Sequence, residues 1–173
     1  SKQFVSSKLR DFAGDLAYST VSISKDWHLA GAPLHSENGM FSGAVSIVDV
    51  IEGNVSALSP TSFPVQQNDQ FGLSIEIIGD IAIVGAPGND FESQDAGMVY
   101  VFQYLDDVWV ETQTLTHPTA KSFGKSVAFD GETLIVGMPT SDKAQLFSLG
   151  DGGEFVALKE FAFSDSVSEN RKA

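Results

Sequence analysis

The 173-residue chain contains no cysteine, so no disulfide framework and no thiolate metal site can be built from it. A large repeated β core needs neither, and the compartment is not specified by this absence. Positive charge is scarce: 10 Lys and Arg stand against 23 Asp and Glu, a formal charge of −13. Nucleic acids and anionic membrane surfaces reward a basic patch, so both are disfavoured as partners. Divalent cations, basic partners and plain solubility all remain compatible with the acidity. No apolar run reaches the roughly 18 residues of a membrane span. The richest, Ile75 to Pro87, is interrupted by Glu76 and Asp80. No stretch of useful length shows helical periodicity.

What is present is repetition. A segment running from Ala17 to Pro33 returns from Phe71 to Pro87 and again from Phe123 to Pro139. The closing prolines lie 54 and 52 residues apart, in register and without a gap. A period of that size means one supersecondary unit stacked repeatedly, because such a unit cannot bury its apolar face alone. The 42% hydrophobic content and 13 Phe supply ample core.

Within a unit, short apolar runs alternate with period 2 and are separated by turn residues. In the second unit the reading predicts strands over 73–78, 81–84, 98–104 and 108–115. Gly79-Asp80 is a two-residue hairpin signal, and Asp106-Asp107 turns the second pair. The first unit predicts strands over 20–24, 28–30, 44–50 and 55–58, with Lys25-Asp26 in the turn. The third predicts 126–129, 134–136, 144–149 and 155–163, with Asp130-Gly131 in the turn and a loop after Pro139 about five residues shorter. Four antiparallel strands per unit of this length are the mark of a propeller blade. The fold expected is therefore all-β, with three blades: 12–69, 70–121 and 122–163. Residues 1–11 are expected to be an outer strand of a preceding blade, since Phe4 to Leu9 aligns with Val110 to Leu115, and 164–173 a polar tail or linker. Three blades are fewer than the four to eight of an ordinary ring. A start at Ser1 without an apolar leader fits a processed or excerpted piece of a larger exported protein, or a protomer that completes a ring with other chains.

The sequence Phe71-Gly72-x-Ser74, the Gly79-Asp80 turn, Val84-Gly85-Ala86-Pro87, and then Gly97 with Val99-Tyr100-Val101-Phe102 resembles the FG-GAP repeat of integrin α subunits and of many exported microbial and algal proteins. Phe123-Gly124, Ser126, Val136-Gly137 and Pro139 repeat it with Met138 for Ala. The first unit keeps Gly31-Ala32-Pro33 but has Ala17-Tyr18 in place of Phe-Gly. The motif glycines are read as points of close backbone approach and the Phe as filler between blades. The resemblance implies an extracellular or cell-surface module for recognition or adhesion, non-enzymatic, binding protein or glycan through its loops. The alternative is a structural subunit or packing module of a surface filament, sheath or coat, in contact with other copies or blades of the same assembly. Integrin-type members carry a calcium cage, Asp-x-Asp-x-Asp-Gly-x-x-Asp, between the first two strands. The two-residue turns here cannot wrap a cation, so no calcium at those places and no cofactor is assigned.

Candidate chemistry is sparse. In the loop 88–97, Asp90, Glu92 and Asp95 could converge on a cation with backbone carbonyls, or simply be a solvated acidic loop. His28, His35 and His117 are scattered, and no second nearby ligand completes a zinc set. No strand–turn–helix elbow exposes a nucleophilic serine. Met40, Phe41 and Phe91 have no strand role and are candidate anchors for a partner, unless they fold back over a blade edge. Asn54-Val55-Ser56 is a glycosylation sequon.

Overall fold

A computed structural model describes residues 18–162; the expected outer strand at 1–11 and the tail at 164–173 lie outside the described residues. Each repeat folds as a four-stranded antiparallel meander. The first blade comprises β1 (Thr20–Ile23), β2 (Trp27–Ala32), β3 (Ala44–Asp49) and β4 (Val55–Leu58). The second comprises β5 (Ser74–Ile78), β6 (Ile81–Ala86), β7 (Met98–Leu105) and β8 (Val108–Leu115). The third comprises β9 (Ser126–Phe129), β10 (Thr133–Met138), β11 (Lys143–Leu149) and β12 (Phe155–Ala162). The architecture is all-β, three propeller-type blades. No helix among the described residues is long and apolar enough to cross a membrane.

The alternation read from sequence has a double use in the middle blade. On β6 and β7, Ala82, Val84, Ala86, Met98, Tyr100 and Phe102 join the core shared with blade 1. Their neighbours Ile83, Val99 and Val101 join the core shared with blade 3. A strand buried on both faces reads as a near-continuous apolar run, which is why Ile81 to Ala86 carries no polar side chain. The first strands crowd together: β5 lies on β1 and β2, and β9 lies on β5 and β6.

The motif residues wire these contacts. The Gly72 carbonyl accepts the Thr20 hydroxyl at 2.7 Å, and the Gly124 carbonyl accepts the Ser74 hydroxyl at 2.7 Å. The same carbonyls press on the glycines of Gly-Ala-Pro. A Cβ on Gly31 would stand 2.2 Å from the Gly72 oxygen, and one on Gly85 would stand 2.1 Å from the Gly124 oxygen. No side chain fits there. Phe71 fills the gap beside it, edge-on to Tyr100 at 5.4 Å.

Two sequence expectations are corrected. The third blade's first hairpin turns on Gly131-Glu132, not on Asp130-Gly131. The Asp130 N–H donates to the Thr133 carbonyl, and the Asp130 carboxylate accepts the N–H groups of Glu132 and Thr133 at 2.9 and 2.7 Å. Those two bonds hold the Asp130 carboxyl below its ordinary range. The loop from β10 to β11 is residues 139–142, against 33–43 and 87–97 in the other blades, so it is seven residues shorter and not five. It closes as a single 3₁₀ turn, Pro139–Ser141, ended by Asp142 at φ +52°. Asp106 and Asp107 turn the β7–β8 hairpin with both φ angles positive, the twist that primed turns require.

Candidate functional site

The loops that follow the Gly-Ala-Pro segments gather at one end of the strands. The connector from β4 to β5 is threaded between them. Asn68 N–H donates to the Met40 carbonyl at 2.9 Å, Gln70 N–H to Phe41 at 3.0 Å, and Gly88 N–H to Asp69 at 3.1 Å. Phe41, Asn68 and Gln70 all take positive φ to make this crossing. Hydrogen-bonded loops of this kind present side chains at fixed positions.

The three apolar residues singled out from sequence all stay in solvent here. Met40 is 55% exposed, Phe41 41% and Phe91 55%. Phe91 leans on Phe63 with ring centroids 4.0 Å apart, and its N–H donates to the Asn89 side chain at 3.0 Å. Phe63 is half-buried, and its carbonyl accepts the Tyr100 hydroxyl at 2.9 Å. Burial, with the Asp69 and Glu111 carboxylates nearby, pushes the Tyr100 hydroxyl well above its ordinary pKa, so it stays a donor.

Below the aromatic pair, Asp69 and Asn89 form a buried polar floor. One Asp69 oxygen accepts the Gln66 N–H at 2.8 Å and the Asn89 amide at 3.2 Å. Burial raises the Asp69 carboxyl above its usual range; the two hydrogen bonds oppose that rise and the Asp90 charge adds to it. The cleft so formed holds about 210 Å³ between Phe63, Pro64, Gln67, Asp69, Asn89 and Phe91. Phe63, Asp69 and Asn89 were not anticipated. The nearest sequence signal was their position in the two segments that the Phe-Gly and Gly-Ala-Pro motifs bring together.

Asp90, Glu92 and Asp95 are not brought together as a cation set. The Asp90 carboxylate accepts the Asp95 N–H at 2.7 Å, and Glu92 accepts the Thr116 hydroxyl at 3.1 Å. No group of three or more His, Cys, Asp or Glu side chains converges for a metal among the described residues. The histidines are equally separate: His28 is half-buried on β2, His35 meets Glu37 at 3.3 Å, and His117 lies between Glu160, at 2.8 Å, and the Phe123 ring.

At the opposite, turn end lies a second cleft of about 260 Å³, flanked by Asn54. Both tryptophans of the chain meet there with Tyr104. Trp27 is 4.6 Å from Tyr104 and 5.3 Å from Trp109, ring centre to ring centre. Desolvation and the carboxylates of Asp107, Asp49 and Asp80 raise the Tyr104 hydroxyl pKa. Asn54, the sequon asparagine, is exposed at the start of β4. The aromatic cluster escaped the sequence reading because its members come from two different blades, and neither Ile81 nor Thr133, the register counterparts of Trp27, repeats the aromatic.

Sequential four-stranded meanders packed first strand on first strand define a propeller-type module. Within that class, residues 65–102, which take in β5, β6 and the first part of β7, match the FG-GAP repeat, so the chain carries this repeat in its second blade. No curated protein matches the sequence. Among solved structures, a provisional 6-phosphogluconolactonase from Bacteroides uniformis is similar with a TM-score of 0.52 and 13% identity, over 80% of this chain and 38% of that one. Another, from Bacteroides fragilis, gives 0.49 and 12% identity, over 75% and 33%. The chain thus spans only about a third of either structure. The likeness at 13% identity is one of fold, and the activity in those names stays with those proteins.

Proposed function

We propose that the chain is a non-enzymatic recognition module, extracellular or at the cell surface, that takes a protein or glycan partner at its loop end. One observation carries the reading: Met40, Phe41 and Phe91 remain exposed on loops that backbone hydrogen bonds hold in place, beside the Asp69–Asn89 floor. Rigid loops with apolar anchors and a few convergent polar groups are what recognition surfaces use. The FG-GAP repeat in blade 2 supports the class, since the repeats it resembles serve recognition at cell surfaces. The four-residue loop of blade 3 offers no counterpart, which confines the surface to blades 1 and 2.

The test is a glycan array and a displayed peptide library, probed with the chain and with a Met40→Ser, Phe91→Ser double variant. The expected result is a ligand class that the chain selects and the double variant binds at least about tenfold more weakly, roughly 1.4 kcal/mol, with unchanged thermal unfolding. Equal binding by the double variant, or no selection from either collection, overturns the reading.

A further inference from the structure

The two outer faces of the blade stack carry the same register positions as the two halves of each inner contact. At each inner contact a receiving face presents a hydroxyl, a glycine and apolar side chains: Thr20, Gly31, Leu29 and Ile47 in blade 1, and Ser74, Gly85, Ile83 and Val101 in blade 2. Strand register puts Ser126, Gly137, Ile135 and Leu146 at the same positions of blade 3. Leu29 and Ile83 are buried to 2% and 0% exposure, whereas Ile135 is 39% exposed. A Cβ on Gly137 would meet only the neighbouring Ser126, where Gly31 and Gly85 abut the backbone of a following blade. The groove over Ser126, Ala128, Ile135, Gly137 and Ala144 holds about 460 Å³.

The seated face shows the converse. Ile75 and Ile77 of β5, and Phe129 of β9, are buried against the preceding blade or its shared core. Their register equivalents on β1, Val21 and Ile23, are 75% and 71% exposed. Among the described residues, one molecule therefore displays both an unfilled receiving face and an unseated first strand.

We infer that two copies of this chain associate head to tail, the β1 face of each seated on the β9–β10 face of the other, to close a six-bladed ring. The three described blades of each of two copies make six, within the four to eight of closed propellers, and those of three copies would exceed it. A head-to-tail contact made twice about a two-fold axis closes without free ends. Matched departures favour a second copy over any further Phe-Gly blade as the occupant. Gly43 and Gly97 touch the Phe of the following blade so closely that a Cβ would stand 2.2 Å from its carbonyl oxygen. Asp142 occupies that register position in blade 3, so this face does not take a Phe-Gly segment as the inner faces do. The blade that has lost its Phe-Gly, replaced by Ala17-Tyr18, is blade 1 of the same chain.

The experiment is the solution mass of the 173-residue chain by light scattering after size exclusion, with two variants and their mixture. The chain is expected at twice its 18.5 kDa. Ile135→Asp and Val21→Arg should each run as a folded monomer by circular dichroism. Mixing them should restore the dimer, because one interface is then native at both halves and the other pairs Asp with Arg. A monomeric parent, a dimer indifferent to both substitutions, or an open-ended polymer overturns the inference. So does a mixture of two folded monomers that stays monomeric. None of these substitutions touches the loop end, so the outcome is independent of the recognition reading.

Discussion

The two inner interfaces share one wiring pattern but are finished differently at both ends. Between blades 1 and 2 the turn end is aromatic: Trp27, Tyr104 and Trp109 stack around an open cleft, and the Trp109 Nε1 is buried without a partner. Between blades 2 and 3 the turn end is sealed by amides. The Gln113 side chain donates to the Phe155 carbonyl at 2.9 Å and accepts its N–H at 2.7 Å, while Gln103 donates to Gly153 at 2.6 Å. At the loop end, the buried Asp69–Asn89 pair of the first interface is answered by Lys121 and Ser141 in the second, where the Lys121 N–H meets the Ser141 hydroxyl at 2.8 Å. The Gly-to-carbonyl contact is common to both because no alternative side chain fits. The ends tolerate variety, and that is where binding surfaces can differ from blade to blade.

The largest effect should come from breaking the common element. A Gly85→Val substitution drives a branched side chain into the Gly124 carbonyl, and neither backbone can yield without parting the blades. A loss of about 3 kcal/mol or more is expected in urea unfolding, or no folded product at all. Gly137→Val places the same side chain on the open face, against the Ser126 side chain, which can rotate. That variant should keep the blades folded while losing the dimer. If both glycines tolerate valine equally, the Gly85 contact with the Gly124 carbonyl is not what holds the inner blades together.

The turn ends should separate next. Gln113→Ala strands both backbone groups of buried Phe155 and is expected to cost about 2 kcal/mol. Trp109→Phe removes an indole N–H that has no partner, and its cost should stay within about 1 kcal/mol. The reverse order in chemical denaturation would mean that the aromatic cluster, and not the amide seal, holds the blades together at this end.

Most of this frame was legible because the repeat forces it. Phe71-Gly72, Ser74 and Gly85 recur at fixed spacing, so close backbone approach at the glycines and filling by the Phe are legible before any geometry, whereas the bond from the Ser74 hydroxyl to the Gly124 carbonyl is not. The turn at Gly131-Glu132 was placed one residue early because Asp130-Gly131 is itself a good turn pair; the Asp130 carboxylate, bonding forward to two N–H groups, moves the bend. The candidate site was legible only in part. Met40, Phe41 and Phe91 stood out as apolar residues without a strand, but the Asp69–Asn89 floor depends on a contact across 20 positions that no periodicity encodes. Of the two alternatives the acidic loop offered, the described geometry fits the solvated one: Asp90 takes the Asp95 N–H, Glu92 takes the Thr116 hydroxyl, and the carboxylates do not converge.

The smallest effect is also the most selective, because only the first interface carries a buried carboxylate at its loop end. Burial raises the Asp69 pKa in the folded chain above its unfolded value. Between those two values the folded state binds more protons, so this group makes stability fall as pH rises through the window and recover as pH falls. Asp69→Asn keeps an oxygen for the Gln66 N–H but cannot ionise. The difference in Tm between this variant and the parent should therefore be most favourable to the variant at neutral pH. It should shrink as pH falls through the raised Asp69 pKa toward the ordinary carboxylate range. The carboxyls of Asp130 and Glu160, both held low, act in the opposite sense but are present in both proteins and drop out of the difference. Lys121→Met, at the matching place in the second interface, should show no such slope over the same range. A Tm difference that grows on acidification, or one shared by the Lys121 variant, would remove the buried carboxylate as the feature that sets the two interfaces apart.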